Sequence, residues 1–356
     1  MASKKPAQAA SVGWTLGEQL GHGGQGEVFF AVRKEEPDGR KHAFKFLNDK
    51  GSSTARERFR HELDALTRLD HPGIVKVVQH AQPGDSFQYY VMEYVDGAES
   101  LRKLIGRNSN PFFKDPLKAV DGFIQIAEAL AACEKLRIVH RDLSPANVLV
   151  AGERIMLIDF GLCHIEDGHT ITLTEEAVGT PHYRAPECSG YSRQEPDIRA
   201  DLYSAGKILW SMIANKPAFD RESPVFNELS LAKLLLDTRM AWHLHHIFEF
   251  TIRSEATKRY DNTYRALEGA RDVRRLITEG YKPLEQLADN LCPLCGIGRY
   301  GNTFALNTYY AKEMEGFGNA MALVRGSYSV CPFCFHASFI AVEVLQKALA
   351  DRRKLA

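Results

Sequence analysis

The stretch VHRDLSPANVLV (139–150) places an aspartate and an asparagine five residues apart, between two apolar runs. The carboxylate of Asp142 can accept a proton from a hydroxyl group, and the side-chain oxygen of Asn147 can bind a metal ion. Between them stands Ser144, which carries no charge. The residue types therefore suit a loop that deprotonates an alcohol beside a bound cation.

A second segment, LGHGGQGEVFFAV (20–32), holds Gly21, Gly23 and Gly26, followed by Val28. Glycines let the backbone N–H groups approach phosphate oxygens closely. By itself the pattern is weak, because a glycine-rich hairpin without a ligand has the same composition. A strand rather than a helix is predicted to follow, which distinguishes the segment from a dinucleotide-binding turn.

Two charged residues follow this segment. Lys45 alternates with Phe44 and Phe46 on the next predicted strand, so it either faces solvent or points into a cleft. Glu62 lies 17 residues further on, within a predicted helix, where an exposed glutamate is the commonest arrangement. Each residue taken alone has an ordinary structural explanation. A purely structural interpretation of the set, however, requires all of these explanations to be true at once.

The elements that position these residues change character along the chain. Short β-branched or aromatic runs alternate with turns over 14–95, interrupted by one helical pattern, and helical patterns dominate from about 116 to 278. The sequence thus predicts an α+β fold with a small sheet-rich lobe before a larger helical one. The predicted boundaries are a disordered tail (1–12), the sheet-rich lobe (13–95), the helical lobe (96–280), a linker (281–290) and a cysteine-rich module (291–356).

From about Trp14 to Ile277 the chain resembles the Hanks-type, eukaryotic-like Ser/Thr protein kinases. The glycine-rich segment, Lys45, Glu62, "VMEYVDG", "HRDLSPAN", "DFG" (159–161), "GTPHYRAPE" (179–187) and "ADLYSAGKILW" occur in the family's order. The resemblance implies the bilobal protein kinase fold. It also implies transfer of the γ-phosphate of ATP, with Mg²⁺, to serine or threonine residues of proteins.

The resemblance assigns roles to individual residues. The implied catalytic residues are Asp142, Lys45, Asn147 and Asp159, with Asn147 and Asp159 as ligands of Mg²⁺. The implied nucleotide-binding residues are Gly21, Gly23, Gly26, Val28, Ala43, Lys45, Glu62, Met92, Glu93, Val95, Asn147 and Asp159. Glu187 with Arg259, and Asp201 beneath the catalytic loop, are implied structural ion pairs of the helical lobe.

Ser144 departs from the family pattern, in which a lysine usually stands two residues after the catalytic aspartate. The loop thus lacks one cation beside the transferred group, and an uncompensated loss would slow transfer by roughly 10- to 100-fold. Lys45, Asp142 and Asp159 are all retained, which favours an active enzyme. The alternative is a catalytically weak, nucleotide-binding scaffold.

The segment between Asp159 and Glu187 contains candidate regulatory residues. An arginine before the catalytic aspartate, here Arg141, usually pairs with a phosphothreonine in this segment. The candidates are Thr170, Thr172 and Thr174, and Glu176 occupies the position of the main phosphosite in many relatives. Either Glu176 partly replaces the phosphate, or it belongs to a solvated acidic face.

Two CxxC pairs lie near the C-terminus: Cys292, Cys295, Cys331 and Cys334. Each CxxC turn directs two sulfurs at one metal, and two such turns complete a tetrahedral shell for zinc. With all four positions filled by cysteine, the Zn²⁺ would be structural. The intervening NTFALNTYY and MALVRGSYS are predicted strands of a zinc ribbon, followed by a charged helix (about 341–354).

The residues of the predicted ribbon also indicate the kind of partner that it binds. Its aromatic residues suit base stacking, but basic residues between 290 and 340 are restricted to Arg299, Lys312 and Arg325, which argues for protein docking over nucleic acid. The order of a kinase and a four-cysteine finger also resembles the kinase of the tellurite-resistance-associated phosphorylation triad. That resemblance implies a von Willebrand factor A-type protein and a protein phosphatase as partners.

The composition fits these expectations. Lys+Arg and Asp+Glu balance at 45 each, so the overall charge indicates neither nucleic acid nor an anionic membrane as partner. No apolar run approaches the roughly 20 residues of a membrane span. The first residues carry lysines but no apolar stretch, which predicts a cytoplasmic protein in which Cys133, Cys163 and Cys188 are buried thiols.

Overall fold

The computed structural model describes residues 4–22, 26–47, 53–82, 85–161, 163–165, 182–188, 195–219, 231, 235, 238–279, 304–310, 322–330 and 337–341. The chain divides into two compact units, Met1–Arg274 and Arg275–Ala356. The predicted active-site loop belongs to the first unit, and the four cysteines of the predicted zinc site belong to the second.

The first unit begins with a mostly antiparallel β region. Its elements are α1 (Lys5–Ser11), β1 (Trp14–His22), β2 (Gly26–Arg33), β3 (His42–Leu47), α2 (Ser53–Arg68), β4 (Val77–His80) and β5 (Tyr89–Glu93). The five strands form one sheet in the order β1-β2-β3-β5-β4. Consecutive strands joined by short connections pair antiparallel, as expected for hairpins.

The two faces of this sheet carry different residues, because successive side chains of a strand point to opposite faces. Phe44 and Phe46 of β3 join a buried cluster with Trp14 and Tyr89. The opposite face of β3 carries Lys45 and Ala43. Register then places further residues on that second face, since Val28 and Tyr90 pair with Lys45, and Phe30 and Met92 pair with Ala43.

The N-terminal segment differs from its prediction as a disordered tail, because Lys5–Ser11 forms the helix α1. Pro6 occupies the first turn, where its missing N–H costs nothing, and the following residues are good helix formers. A seven-residue helix is not stable alone. Packing stabilises it: Ala9 is fully buried in the sheet's core cluster, and the ammonium of Lys5 lies 5.8 Å from the Phe29 ring centroid and pairs with Glu27.

Helices dominate the rest of the first unit, as predicted. The elements are β6 (Glu99–Ser100), α3 (Leu101–Leu104), α4 (Pro116–Lys135), β7 (Ile138–Val139), β8 (Val148–Ala151), β9 (Arg154–Leu157), β10 (His164–Ile165), α5 (Ile198–Ala214), α6 (Thr238–Glu249) and α7 (Thr263–Glu279). Helix α5 is buried at every position except Arg199, and the side chains of Asp115 and Asp197 cap α4 and α5. The helical core therefore forms a rigid base for the loops above it.

The second unit contains an antiparallel sheet of three strands, β11 (Phe304–Tyr310), β12 (Ala322–Val330) and β13 (Ala337–Ala341). The first two strands confirm the strand predictions for NTFALNTYY and MALVRGSYS. Cys292, Cys295, Cys331 and Cys334 lie outside the described residues, as does the predicted final helix apart from Ala341, the last residue of β13.

Within the described ranges, no helix combines the length and the apolar character that crossing a membrane would demand.

Candidate active site

Lys45 lies on the second face of the sheet, almost fully buried, and its ammonium contacts α2. The Nζ atom donates to both carboxylate oxygens of Glu62, at 2.7 and 2.8 Å. Both side chains are buried, so the pair is a specific internal ion pair rather than a surface contact. Neither residue is therefore solvent-exposed, which was the alternative explanation for each.

Tyr90 completes this pair and was not predicted. It pairs directly with Lys45 across β3 and β5, so its ring lies beside the lysine, with the ammonium 5.5 Å from the ring centroid. Its hydroxyl donates to Glu62 Oε1 at 2.9 Å. The hydrogen bond fixes the carboxylate that in turn holds Lys45.

Burial and charge oppose each other at this cluster. Burial disfavours the ammonium of Lys45, but the charges of Glu62, Tyr90 and Asp159 outweigh it and hold the lysine pKa well above its usual value. Burial is the larger effect for Glu62 and raises the pKa of its carboxyl against the opposing charge of Lys45. Lys45 therefore remains a cation, as binding a phosphate requires.

Asp159 lies on the far side of Lys45, with Oδ1 3.8 Å from the Nζ atom. It adopts a left-handed backbone conformation, φ 61°, which is uncommon for an aspartate and marks a strained position. The next residue, Phe160, is fully buried and packs against the ring of His140 at a centroid distance of 4.6 Å. Burial raises the pKa of Asp159, but Lys45 and His140 outweigh it, so the net pKa is lowered.

A buried carboxylate holds the loop that carries Asp142. The two oxygens of Asp201, on α5, accept hydrogen bonds from the backbone N–H groups of His140 and Arg141, at 2.7 and 2.9 Å. Arg141 has φ 63°, a conformation that these two bonds stabilise. The expected position of Asp201 beneath the loop is therefore what the structure contains.

The β8–β9 hairpin brings Asn147 beside Asp159. Val148 pairs with Leu157, and the N–H of Ile158 donates to the carbonyl of Asn147 at 3.0 Å, so Asp159 follows directly. The Asn147 side-chain nitrogen donates to the Asp142 carbonyl at 2.9 Å. This use of the nitrogen identifies the oxygen as the acceptor end of the amide, the atom that a metal ion would contact.

Asp142 contacts a residue that the sequence did not suggest. Nη2 of Arg184 lies 3.0 Å from Asp142 Oδ1, across 42 residues of sequence. Burial raises the pKa of Asp142 above its usual value, while the hydrogen bond and charge of Arg184 lower it. Only a three-dimensional structure could reveal this contact, since Arg184 precedes the apparently structural APE sequence.

The glycine-rich segment includes the end of β1 and most of β2. Gly21 pairs with Val28 in the hairpin, and Gly26 packs so closely on β3 that an added Cβ would lie 2.0 Å from the Phe46 carbonyl oxygen. Gly26 is therefore required for packing, whatever else it does. Gly23 lies outside the described residues. The remaining predicted nucleotide residues, Met92, Glu93 and Val95, lie at the end of β5 and just after it.

Arg141 is buried, and its Nε atom lacks a hydrogen-bond partner among the described residues, as does Nε of the buried Arg58 on α2. Burial lowers the pKa of Arg141, although Cys188, Glu195 and Asp201 oppose this. Thr170, Thr172, Thr174 and Glu176 lie outside the described residues.

Metal-binding clusters of histidine, cysteine, aspartate and glutamate do not occur among the described side chains. Cys133, Cys163 and Cys188 are free and buried, which confirms the expectation for these three thiols.

Comparisons with known proteins identify the family of the chain. The model of the protein kinase domain family matches residues 14–295, well over half of the chain. The chain belongs to the protein kinase family. Its bilobal fold, with a sheet-rich first lobe and a helical second lobe, is the one that the sequence predicted.

Individual relatives are bacterial kinases. A probable serine/threonine-protein kinase of Corynebacterium efficiens is 35% identical over 222 residues, which are 59% of this chain and 32% of that protein. Serine/threonine-protein kinase PknF of Mycobacterium tuberculosis is 36% identical over 221 residues, 60% of this chain and 45% of PknF. The match thus spans less than half the length of either relative.

Among solved structures, the kinase domain of PknI from Mycobacterium tuberculosis is similar, with a TM-score of 0.54 and 25% identity. The similarity covers 73% of this chain and 96% of the PknI domain.

The predicted ion pair of the helical lobe is present in this kinase domain. Arg259 donates to both carboxylate oxygens of Glu187, at 2.5 and 2.9 Å, and also to the carbonyls of Arg253, Arg199 and Ser254. The side chains are almost completely buried. Glu187 lies three residues after Arg184, so the ion pair anchors the segment 182–188 to the helical lobe.

We expect Glu187→Gln to lower the free energy of unfolding by about 3–5 kcal/mol, because it leaves the Arg259 charge buried without its counter-charge. Urea unfolding followed by tryptophan fluorescence measures this, since all three tryptophans lie within residues 1–274. Glu255→Gln, in an exposed pair with Lys258, is the control and should cost less than about 0.5 kcal/mol. Equal effects of the two variants would contradict the structural role.

Proposed function

We propose that this kinase domain transfers the γ-phosphoryl group of ATP, with Mg²⁺, to serine or threonine hydroxyls of protein substrates. The observation that carries the proposal is the Lys45–Glu62 pair with Asp159 at 3.8 Å from the same ammonium. A cation held by one buried acid beside a second, more exposed acid suits a phosphate and its metal ion.

The second face of the sheet provides the nucleotide site. Val28, Ala43 and Met92 form its apolar part and would contact the adenine ring, while Lys45 would bind the α- and β-phosphates. The backbone groups of Glu93 and Val95, just past the strand edge, would hydrogen-bond the ring. The glycine-rich hairpin, with Gly21, Gly23 and Gly26, would cover the phosphates.

The residues present fit Mg²⁺, which prefers hard oxygen ligands. Asn147 and Asp159 would hold it, because Asn147 precedes β8, Asp159 follows the Ile158 that bonds to the Asn147 carbonyl, and the lowered pKa of Asp159 keeps its carboxylate ionised. When bound, the metal neutralises charge on the phosphate oxygens. Asp159 is 44% exposed, so its carboxylate is accessible to a ligand.

Asp142 would act on the substrate hydroxyl. As the hydroxyl oxygen bonds to the γ-phosphorus and the bond to ADP breaks, the proton passes to the Asp142 carboxylate. The Asp201 hydrogen bonds hold the loop so that this carboxylate is already positioned before substrate binds.

The alternative is a catalytically weak scaffold that binds nucleotide and signals by conformation. Ser144 favours it, since the expected lysine is missing. Transfer of labelled γ-phosphate from ATP, measured with Mg²⁺ and a generic basic protein as substrate, distinguishes the two. Incorporation on serine or threonine that depends on Asp142 supports the enzyme; equal incorporation with and without Asp142 would support the scaffold.

Regulation by the segment that follows Asp159 forms part of the proposal. Two buried arginines with unpaired Nε atoms in the described structure, Arg141 and Arg58, provide positive charge for an anion. That anion would be the carboxylate of Glu176 in the basal state and phosphate on Thr172 or Thr174 after autophosphorylation, with Thr170 a further candidate.

The chain should therefore retain measurable kinase activity after treatment with phosphatase. Preincubation with MgATP should then raise this activity roughly tenfold, the effect of one additional charge-assisted contact. Initial rates after each treatment, with phosphosite mapping by mass spectrometry, test both parts. A treated chain without detectable activity would exclude the role of Glu176. A rate that does not change after MgATP treatment would exclude autoactivation.

The second unit is proposed to be a zinc ribbon that recruits a protein partner. Cys292, Cys295, Cys331 and Cys334 provide four thiolates, a donor set that fits structural zinc. The three-stranded antiparallel sheet supports this, because the second CxxC lies in sequence between β12 and β13. A von Willebrand factor A-type protein and a protein phosphatase are the proposed partners.

Capture of these proteins by the full chain, and its loss with Cys292→Ser, tests the recruitment. Salt-dependent binding of DNA or RNA, lost with the same variant, would support a nucleic-acid ligand instead.

A further inference from the structure

The contact between Asp142 and Arg184 addresses the missing cation of the catalytic loop. The guanidinium and the carboxylate are 3.0 Å apart, and their side chains are only 19% and 21% exposed. An ion pair so shielded from solvent is stronger than a surface pair. It leaves the second carboxylate oxygen of Asp142 as the acceptor for a substrate hydroxyl.

Ser144 cannot provide the same charge. It is 4% exposed, and its carbonyl accepts the N–H of Asn147 at 2.9 Å, so the serine belongs to the packed base of the loop. A serine hydroxyl is neutral and short. The positive charge next to Asp142 therefore comes from a different segment of the chain.

That segment is fixed firmly to helix α5. Lys207 donates to the carbonyl of His182 at 2.6 Å, and Ser204 donates to the carbonyl of Tyr183 at 2.9 Å. The Tyr183 hydroxyl contacts the Ser211 hydroxyl at 2.9 Å. Because the two residues before Arg184 are held in this way, its guanidinium reaches Asp142 from a defined position.

We infer that Arg184 is a positioning residue that replaces the lysine absent at Ser144, orienting the Asp142 carboxylate and adding positive charge beside the transferred phosphoryl group. The inference rests on the proposed phosphoryl transfer. A catalytic loop without its usual lysine can then still serve an active enzyme, because Arg184, in the segment before Glu187, supplies the positive charge.

Four proteins test the inference: wild type, Arg184→Gln, Ser144→Lys and the double variant. We expect Arg184→Gln to lower kcat by roughly 10- to 100-fold, with the KM for ATP within about twofold of wild type. The double variant should recover most of this loss in kcat. Arg265→Gln, in an exposed pair on α7, is the matched control and should leave kcat and the KM for ATP unchanged.

Several results would overturn the inference. An Arg184→Gln variant with wild-type kcat excludes the role, and so does a double variant that melts at the wild-type temperature but is no more active than Arg184→Gln. If Arg184→Gln is unfolded by thermal melting, Arg184→Lys takes its place and should retain most of the wild-type kcat because it keeps the charge. A wild type no more active than Asp142→Asn would instead contradict the proposed function itself.

Discussion

Replacing Asp142 by asparagine is expected to reduce phosphoryl transfer by roughly 10²- to 10⁴-fold, the usual contribution of a general base. The amide cannot take the proton of the substrate hydroxyl. It can still accept a hydrogen bond from Arg184, and the loop backbone stays bound to Asp201 and Asn147. The fold and the ATP affinity should therefore change little.

The measurement is transfer of labelled γ-phosphate at saturating ATP and Mg²⁺, with nucleotide affinity determined by calorimetry. Asp70→Asn is the matched control, because Asp70 is highly exposed and paired only with the surface Lys76. The control should transfer phosphate at the wild-type rate. If Asp142→Asn does so as well, the protein is a nucleotide-binding scaffold and not an enzyme.

Sequence reasoning located Lys45 and Glu62 because their motifs are local. The resemblance to protein kinases implies that the two residues pair beside the nucleotide, and the structure places their charged atoms 2.7 Å apart. Asp201 and the Glu187–Arg259 pair were predicted through the same family resemblance, although Glu187 and Arg259 lie 72 residues apart. Local pattern and family order were enough for residues whose roles are tied to a short motif.

Residues that act through register or through distant contacts were missed. Tyr90 appeared to be one aromatic residue of an apolar strand, and only the pairing of β3 with β5 places its hydroxyl at Glu62. Arg184 lies 42 residues from Asp142, and no periodicity connects them. Side-chain contacts of this kind depend on how separate elements pack, which a single sequence does not state.

The first residues show the same dependence on tertiary packing. A short, polar segment with two lysines has the composition of a disordered tail, and its helix propensity alone is too weak for seven residues. The burial of Ala9 beside Trp14 stabilises α1 instead. The apolar partner of this helix is the sheet, which the composition of the segment cannot indicate.

The proposed zinc ribbon predicts that the largest effect on stability occurs in the second unit, on loss of the metal. A structural zinc bound by thiolates contributes roughly 10–16 kcal/mol of binding free energy, which is also the folding energy of a small module. The described strands of this unit form a three-stranded sheet, which is near the minimum for independent stability, so a bound zinc would supply much of the folding energy. We expect about one zinc per wild-type chain and less than about a tenth of that in Cys331→Ser.

Mass spectrometry of the metal content, with hydrogen exchange of the β12 amides, provides the measurement. Protection of Ala322–Val330 should disappear in Cys331→Ser, because these amides pair with β11 and β13 only when the unit is folded. Cys133→Ala, which removes a buried thiol of the first unit, is the control and should retain the zinc. A metal-free wild type that keeps the β12 protection would contradict the zinc ribbon.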